Sequence, residues 1–161
     1  MMYGLKGKIL IEEATINNAK EIIDVINTSN REAFGRIIPE EYFREPVITL
    51  QEYKESLEMM TFYVCKQRGV AVAVAALTIE DEYTGRIRWV YVLPNFQKQG
   101  IGSTLVHHLE RVAKERGLRK TRLITDNNAE WAIRFYKNLG YILINKVPNP
   151  WGFDVWMEKQ L

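Results

Sequence analysis

The chain contains a single cysteine, Cys65, in 161 residues. One thiol excludes an internal disulfide and a multi-cysteine zinc site, and no metal site is expected. Between Val64 and Lys66 in a run of strand formers, Cys65 reads as a buried strand residue. Long apolar runs are absent too. Nothing approaches the roughly 20 consecutive residues of a membrane span, which argues against a membrane partner. Charge of one sign is also scarce: 22 basic and 20 acidic residues leave a net charge of +2. That excess is too small to argue for nucleic acid, and no aromatic stacking motif accompanies the basic residues. The start, Met1 to Lys6, lacks the apolar run and cleavage site of a secretory signal, so a cytoplasmic location is expected. Internal repeats and low-complexity linkers are missing, so one domain over 1–161 is expected. What remains is 47% hydrophobic and 26% charged residues, the balance of an ordinary globular domain, long enough to bury on the order of 70% of its unfolded surface.

Periodicity gives the order of elements. Lys8 to Ala14 reads as a strand, followed by a helix opening at Asn17-Asn18, carrying Ile22, Ile23 and Ile26, and ending near Ser29. Arg31 to Pro46 is irregular, and Thr49 to Met60 reads as a polar helix. Thr61–Lys66 and Val70–Glu80 are strands around a Gln67-Arg68-Gly69 turn. Thr84-Gly85 reads as a second turn, and Arg86 to Leu93 as a strand stopped by Pro94. Ile101, Leu105, Leu109 and Val112 then repeat at helical spacing up to a Gly117 cap. A strand over Thr121–Thr125 leads to a helix bearing Ala132, Ile133, Tyr136 and Leu139, closed by Gly140. Tyr141–Lys146 and Phe153–Glu158 read as the last strands, joined by a stiff Pro148–Gly152 connection. Strand, long helix and strand form a crossover unit, so 86–93 and 121–125 should be parallel neighbours, while the hairpins make the sheet mixed.

Chemistry concentrates in Gln97-Lys98-Gln99-Gly100-Ile101-Gly102-Ser103, between that strand and its helix. Unpaired N–H groups and the positive end of the helix dipole favour a phosphate-bearing ligand here. Glycine at 100 and 102 lets the backbone approach a pyrophosphate, and Lys98 and Ser103 add a charge and a hydroxyl. Taken alone, a G-x-G is more often a tight turn. Two better-known phosphate loops fit worse: no Gly-Lys-Ser/Thr follows the loop, and Leu105 stands where a dinucleotide fingerprint needs its third glycine or alanine.

Gln97, Gly100 and Gly102 meet the Q/R-x-x-G-x-G/A signature of the GNAT superfamily of N-acetyltransferases. Val90-Tyr91-Val92-Leu93-Pro94 resembles the strand and proline before that signature, and Ala132 to Tyr141 (AIRFYKNLGY) resembles the family's second motif. The resemblance is clear from about Arg86 to Tyr141. It implies an α/β fold of the acyl-CoA acyltransferase type, a mixed sheet of six to seven strands flanked by about four helices. It also implies acetyl-CoA as cofactor, with CoA as product, and an amine-bearing small molecule or peptide as acceptor; a homodimer stays open. The pantetheine arm would run along the strand on the main-chain groups of Tyr91, Val92 and Leu93, with the N–H of Val90 or Val92 against the thioester oxygen. The loop from Gln97 through Ser103 would hold the diphosphate, and Asn128 would match the family asparagine that touches the cofactor. Tyr136 would match the tyrosine that assists the leaving thiolate.

Residue chemistry sets limits on that reading. A lysine-like amine is only roughly 0.1% neutral at pH 7.4, so deprotonation matters. Several relatives carry a strand glutamate as base; Arg86, Trp89 and Ile124 stand at the comparable positions here and cannot accept a proton. Asp126 is the first candidate, ahead of Glu80, Asp81 and Glu82, although a strand-end capping role describes it as well. Asn127 and Glu130 resemble a capping box with Asn127 at the N-cap. A phenol is a weaker acid than a thiol, so full proton transfer from Tyr136 is uphill by ~2 kcal/mol and hydrogen-bond donation is the safer assignment. The adjacent His107 and His108 point about 100° apart and suit surface or packing roles. Phe34, Tyr42, Phe43 and Trp151 are candidates for the acceptor pocket, with core packing as the alternative. The missing strand carboxylate keeps a second reading open, a non-enzymatic acyl-CoA-binding regulatory module.

Overall fold

A computed structural model describes residues 8–161; the start of the chain, Met1 to Lys6, lies outside them. Seven strands form one mixed sheet in the order β1-β2-β3-β4-β5-β7-β6. They are β1 (Ile9–Glu13), β2 (Thr61–Gln67), β3 (Val70–Ile79), β4 (Thr84–Val92), β5 (Lys120–Asp126), β6 (Ile142–Asn149) and β7 (Gly152–Gln160). Only β4 and β5 pair in parallel, as the crossover through the intervening helix requires.

Four helices cover the sheet: α1 (Ala19–Phe34), α2 (Leu50–Ser56), α3 (Ile101–Glu115) and α4 (Glu130–Asn138). The core has two layers. Ile22, Val25, Ile26 and Tyr53 of α1 and α2 pack against Phe62, Val64, Val74 and Ala76 on one face. Leu105, Leu109 and Ala113 of α3 and Tyr136 of α4 pack against Ala73, Ala75, Leu123 and Met157 on the other. Alanines dominate β3 because helices approach it from both sides, leaving room for little beyond a methyl group.

The differences from the sequence reading have local causes. Helix α1 runs through Ser29 to Phe34 because Ser29 and Asn30 are buried, and Asn30 Oδ1 accepts a hydrogen bond from Tyr91 Oη at 2.9 Å. The first hairpin loop is only Arg68-Gly69, both at positive φ (54° and 77°), which suits a two-residue turn. Thr84 and Gly85 are strand, not turn. Asp81 Oδ1 makes the turn by accepting the N–H groups of Tyr83 and Thr84 at 2.8 Å each, while a Cβ at Gly85 would lie 3.1 Å from both Leu77 Cδ1 and Leu118 Cδ1. Pro148 belongs to β6, which as an edge strand tolerates it, and the β6–β7 turn is Pro150-Trp151 alone. Cys65 is buried in β2 as expected. No described helix is long and apolar enough to cross a membrane.

Candidate active site

Strands β4 and β5 pair only at Thr84–Lys120, Gly85–Thr121 and Arg86–Arg122, and then diverge. On its other side β4 stays paired with β3, but the register slips between Arg88 and Tyr91. One extra residue is accommodated at Trp89, whose φ of 56° is a costly conformation for a bulky side chain. The bulge puts consecutive side chains on one face: Arg88 opposes Ala76 and Trp89 packs into the α1-side cluster, whereas Val90 and Val92 pack on the α3 side.

Main-chain direction follows from the ladder. Leu93 N–H donates to Val72 O at 2.9 Å, so strict alternation turns the main-chain groups of Tyr91 and Leu93 toward β3 and those of Val92 toward the gap beside β5. The expectation that Tyr91 and Leu93 offer main-chain groups to a ligand is corrected accordingly. Val92, one of the two candidate donors toward a thioester oxygen, thus has its N–H directed into the opening. Its carbonyl accepts from Gln97 Nε2 at 3.0 Å.

A cleft of about 620 Å³ fills the gap and reaches the loop before α3. Gly100 is the N-cap of α3 at φ 80°, and Lys98 also lies at positive φ, 62°. Thr104 N–H is the first to bond back into the loop, to Gly100 O at 3.0 Å, so the N–H groups of Ile101, Gly102 and Ser103 have no acceptor among the described residues. A Cβ at Gly102 would meet Phe135 Cζ at 3.3 Å, so this glycine lets α4 close against α3. Gln97, Lys98 and Ser103 also line the cleft; Gln99 is exposed beside it.

Tyr136 reaches the same cleft from α4. Its ring is held edge-on by Phe135 and Tyr141, with centroids 5.0 and 5.8 Å away. Its hydroxyl makes no hydrogen bond among the described residues, yet is not sealed off from the cleft. Burial, with Tyr91 nearby, pushes its pKa well above the ordinary phenol value, so it is a proton-bearing donor.

Asp126 lies beside the cleft rather than in it. Its Oδ2 accepts Trp151 Nε1 at 2.5 Å and its Oδ1 accepts Asn128 N–H at 2.7 Å, so both oxygens are engaged. The expected capping box is absent: Ala129, not Asn127, occupies the N-cap of α4, because Asp126 already organises the turn. Asn128 is exposed next to Gly152. His107 pairs with Glu110 and His108 packs on Tyr63, 4.8 Å between centroids, both away from the cleft.

One aromatic contact lies in the cleft lining and a second lies outside it. Phe34 of α1 and Trp131 of α4, from helices on opposite faces of the sheet, meet with centroids 5.7 Å apart. Tyr42 and Trp151 meet at 5.5 Å, joining the α1–α2 segment to the β6–β7 turn. Of the four aromatic candidates for the acceptor pocket, Phe34 lines the cleft and Tyr42, Phe43 and Trp151 do not. Trp131 and Arg88, both lining the cleft, were missed by the sequence reading. Trp131 sits just before a motif whose match begins at Ala132, and Arg88 lies in a strand whose alternation the bulge disrupts.

An opened parallel pair, unpartnered helix-terminal amides and a tyrosine hydroxyl in one cleft are the parts the family resemblance called for. The sequence profile described as "Acetyltransferase (GNAT) family" matches residues 23–141. The chain belongs to the GNAT acetyltransferase family. It is 34% identical over 86 residues to an uncharacterized N-acetyltransferase of Methanocaldococcus jannaschii, covering 50% of this chain and 38% of that protein. An uncharacterized N-acetyltransferase of Chlorobaculum tepidum is 28% identical over 110 residues, 68% of either chain. Among solved structures, the PaiA N-acetyltransferase of Thermoplasma acidophilum in complex with coenzyme A superposes with a TM-score of 0.85 at 19% identity, over 96% of this chain and 99% of that one. The GNAT fold, with its seven-stranded mixed sheet and four helices, is therefore established over the described residues. Members of this family are N-acetyltransferases that take acetyl-CoA as donor.

Proposed function

We propose that the protein transfers the acetyl group of acetyl-CoA directly to a primary amine. The observation that carries this reading is the convergence on one cleft of three free amides at the start of α3, the inward main chain of Val92 and the unpartnered hydroxyl of Tyr136. The amides of Ile101, Gly102 and Ser103 suit the diphosphate, with Lys98 adding positive charge. Val92 N–H stabilises negative charge developing on the thioester oxygen as nitrogen attacks. The C–S bond then breaks, and Tyr136 donates a hydrogen bond to the departing sulfur.

Among the described residues, no carboxylate or histidine lines the cleft. The acceptor therefore enters as the neutral amine or loses its proton to water, and Asp126 holds the turn instead of taking the proton. Incubation with acetyl-CoA and a panel of peptide α-amines, lysine, polyamines and small amines, read as free thiol, tests the proposal. Acceptor-dependent thiol release is expected; release that no acceptor stimulates counts against transfer. The lack of a lining base favours one second reading, a module that binds acyl-CoA without turnover. Calorimetric binding of acetyl-CoA with no transfer to any amine is its signature, and measurable turnover removes it.

A further inference from the structure

The face of the sheet toward α1 carries a row of cations between β3 and β7. Arg86, Arg122 and Lys120 share two carboxylates: Arg86 Nε lies 3.8 Å and Arg122 Nη1 3.6 Å from Glu80, and Arg122 Nη2 lies 3.3 Å and Lys120 Nζ 3.7 Å from Glu158. Arg86 and Arg122 also flank the Trp156 ring, each guanidinium carbon 5.7 Å from its centroid. Arg88 is the next residue on this face. It makes no ion pair or side-chain hydrogen bond among the described residues, although it is half-buried and lines the cleft. A guanidinium keeps its charge even when partly desolvated, and a buried charge without a partner is costly. Glu80, whose charge acts on Arg88 without pairing with it, is already shared by Arg86 and Arg122, so the fold offsets Arg88 only in part. Burial, reinforced by Arg86 alongside and opposed by Glu80, lowers its pKa from the ordinary guanidinium value.

We propose that Arg88 is the anion-binding residue of the acceptor pocket, so that the preferred acceptor is a small primary amine that also carries a carboxylate or phosphate. This rests on the acetyl-transfer reading for the location of the acceptor, and deepens it by naming the acceptor's class. The bulge is what makes the site. By adding Trp89 to the α1 face beside Arg88, already there by alternation from Arg86, while the Val92 main chain faces the gap, it sets an anion-binding fork on the acceptor side of the opened strands and leaves the cofactor loop on the other. The contact between Phe34 and Trp131, both lining the cleft, narrows it and favours a compact acceptor over a chain threading through. The same field disfavours a protonated amine beside Arg88, which helps an acceptor lose its proton where no base lines the cleft. A polycationic acceptor would be repelled.

The test pairs acceptors that differ only in the anion: glycine with glycinamide, β-alanine with β-alaninamide, and O-phosphoethanolamine with ethanolamine, with putrescine as the cationic arm. The full chain with acetyl-CoA should favour the anionic member of at least one pair by 10-fold or more in kcat/KM, and the pair favoured identifies carboxylate or phosphate. Arg88→Gln should erase that preference, with the anionic members losing at least 10-fold more kcat/KM than their neutral counterparts, and Arg88→Lys should restore part of it. A readout independent of turnover is the Arg88 Nε–H resonance, titrated with each pair in the presence of CoA. Shifts from anionic members only, with no transfer, would support anion binding and defeat the transfer reading. Preference for putrescine or the neutral members, or an Arg88 resonance that no anionic member moves, would overturn the proposal while leaving acetyl transfer to stand on its own assay.

Discussion

The side-chain amide of Gln97, first residue of the family signature, donates to the main-chain carbonyl of Val92 at 3.0 Å. The cofactor loop is thereby tied to the strand whose free main chain borders the cleft. The bond is exposed, so its net stabilisation is small, about 0.5–1 kcal/mol. Gln97→Ala should leave thermal unfolding nearly unchanged while weakening CoA several-fold by calorimetry, because the loop loses its tether.

The two loop glycines should fail differently. Gly100 sits at φ 80° with open space where a Cβ would go, so Gly100→Ala adds backbone strain of about 1 kcal/mol without a clash. At Gly102 the backbone is helical and the Cβ would press on Phe135. Gly102→Ala should therefore be rescued by Phe135→Leu, which frees space, whereas Gly100→Ala should not. Urea unfolding of the four variants checks this.

Tyr136→Phe removes a hydroxyl that bonds to nothing in the described protein, so stability should change by less than about 0.5 kcal/mol. The acetyl-transfer rate should fall about 10- to 100-fold at nearly constant KM for acetyl-CoA. Since the folded pKa of Tyr136 is raised above the unfolded value near 10, its contribution to stability is complete below about pH 10 and is lost as pH rises beyond. Tyr53, pushed to about 12 by burial, acts in the same direction. Unfolding midpoints should be flat on this account to about pH 10 and then drop, with tyrosinate absorbance appearing in the same range.

Asp126→Asn separates a positioning role from a catalytic one. An asparagine can keep the bond from Asn128 N–H, but it then turns an NH₂ group toward the Trp151 indole donor. Stability should fall by about 1–2 kcal/mol. The variant's kcat/KM profile should keep its wild-type apparent pKa; loss of the limb would restore Asp126 as the base.

The order of elements along the chain, the parallel crossover and the turn before α3 were legible because each leaves a local mark: proline after β4, paired glycines before a helix, a clean helical period in α3. What escaped was set by distant partners. Ser29 and Asn30 look like a helix end until Tyr91, sixty-one residues away, takes the Asn30 carbonyl. Arg88, Trp89 and Tyr91 belong to one face only because a bulge adds a residue, and Trp89-Val90-Tyr91-Val92 has no polar position to betray the slip. Asp126 was readable as a strand-end acid, but not the indole that occupies it.

Backbone amide shifts on titration with CoA probe the central arrangement most directly. Ile101, Gly102, Ser103 and Val92 should move together and saturate, and 3'-dephospho-CoA should reproduce their response because the diphosphate is what the loop holds. If CoA at millimolar concentration leaves those four amides in place while shifting others, the cleft described here is not where the acetyl donor binds.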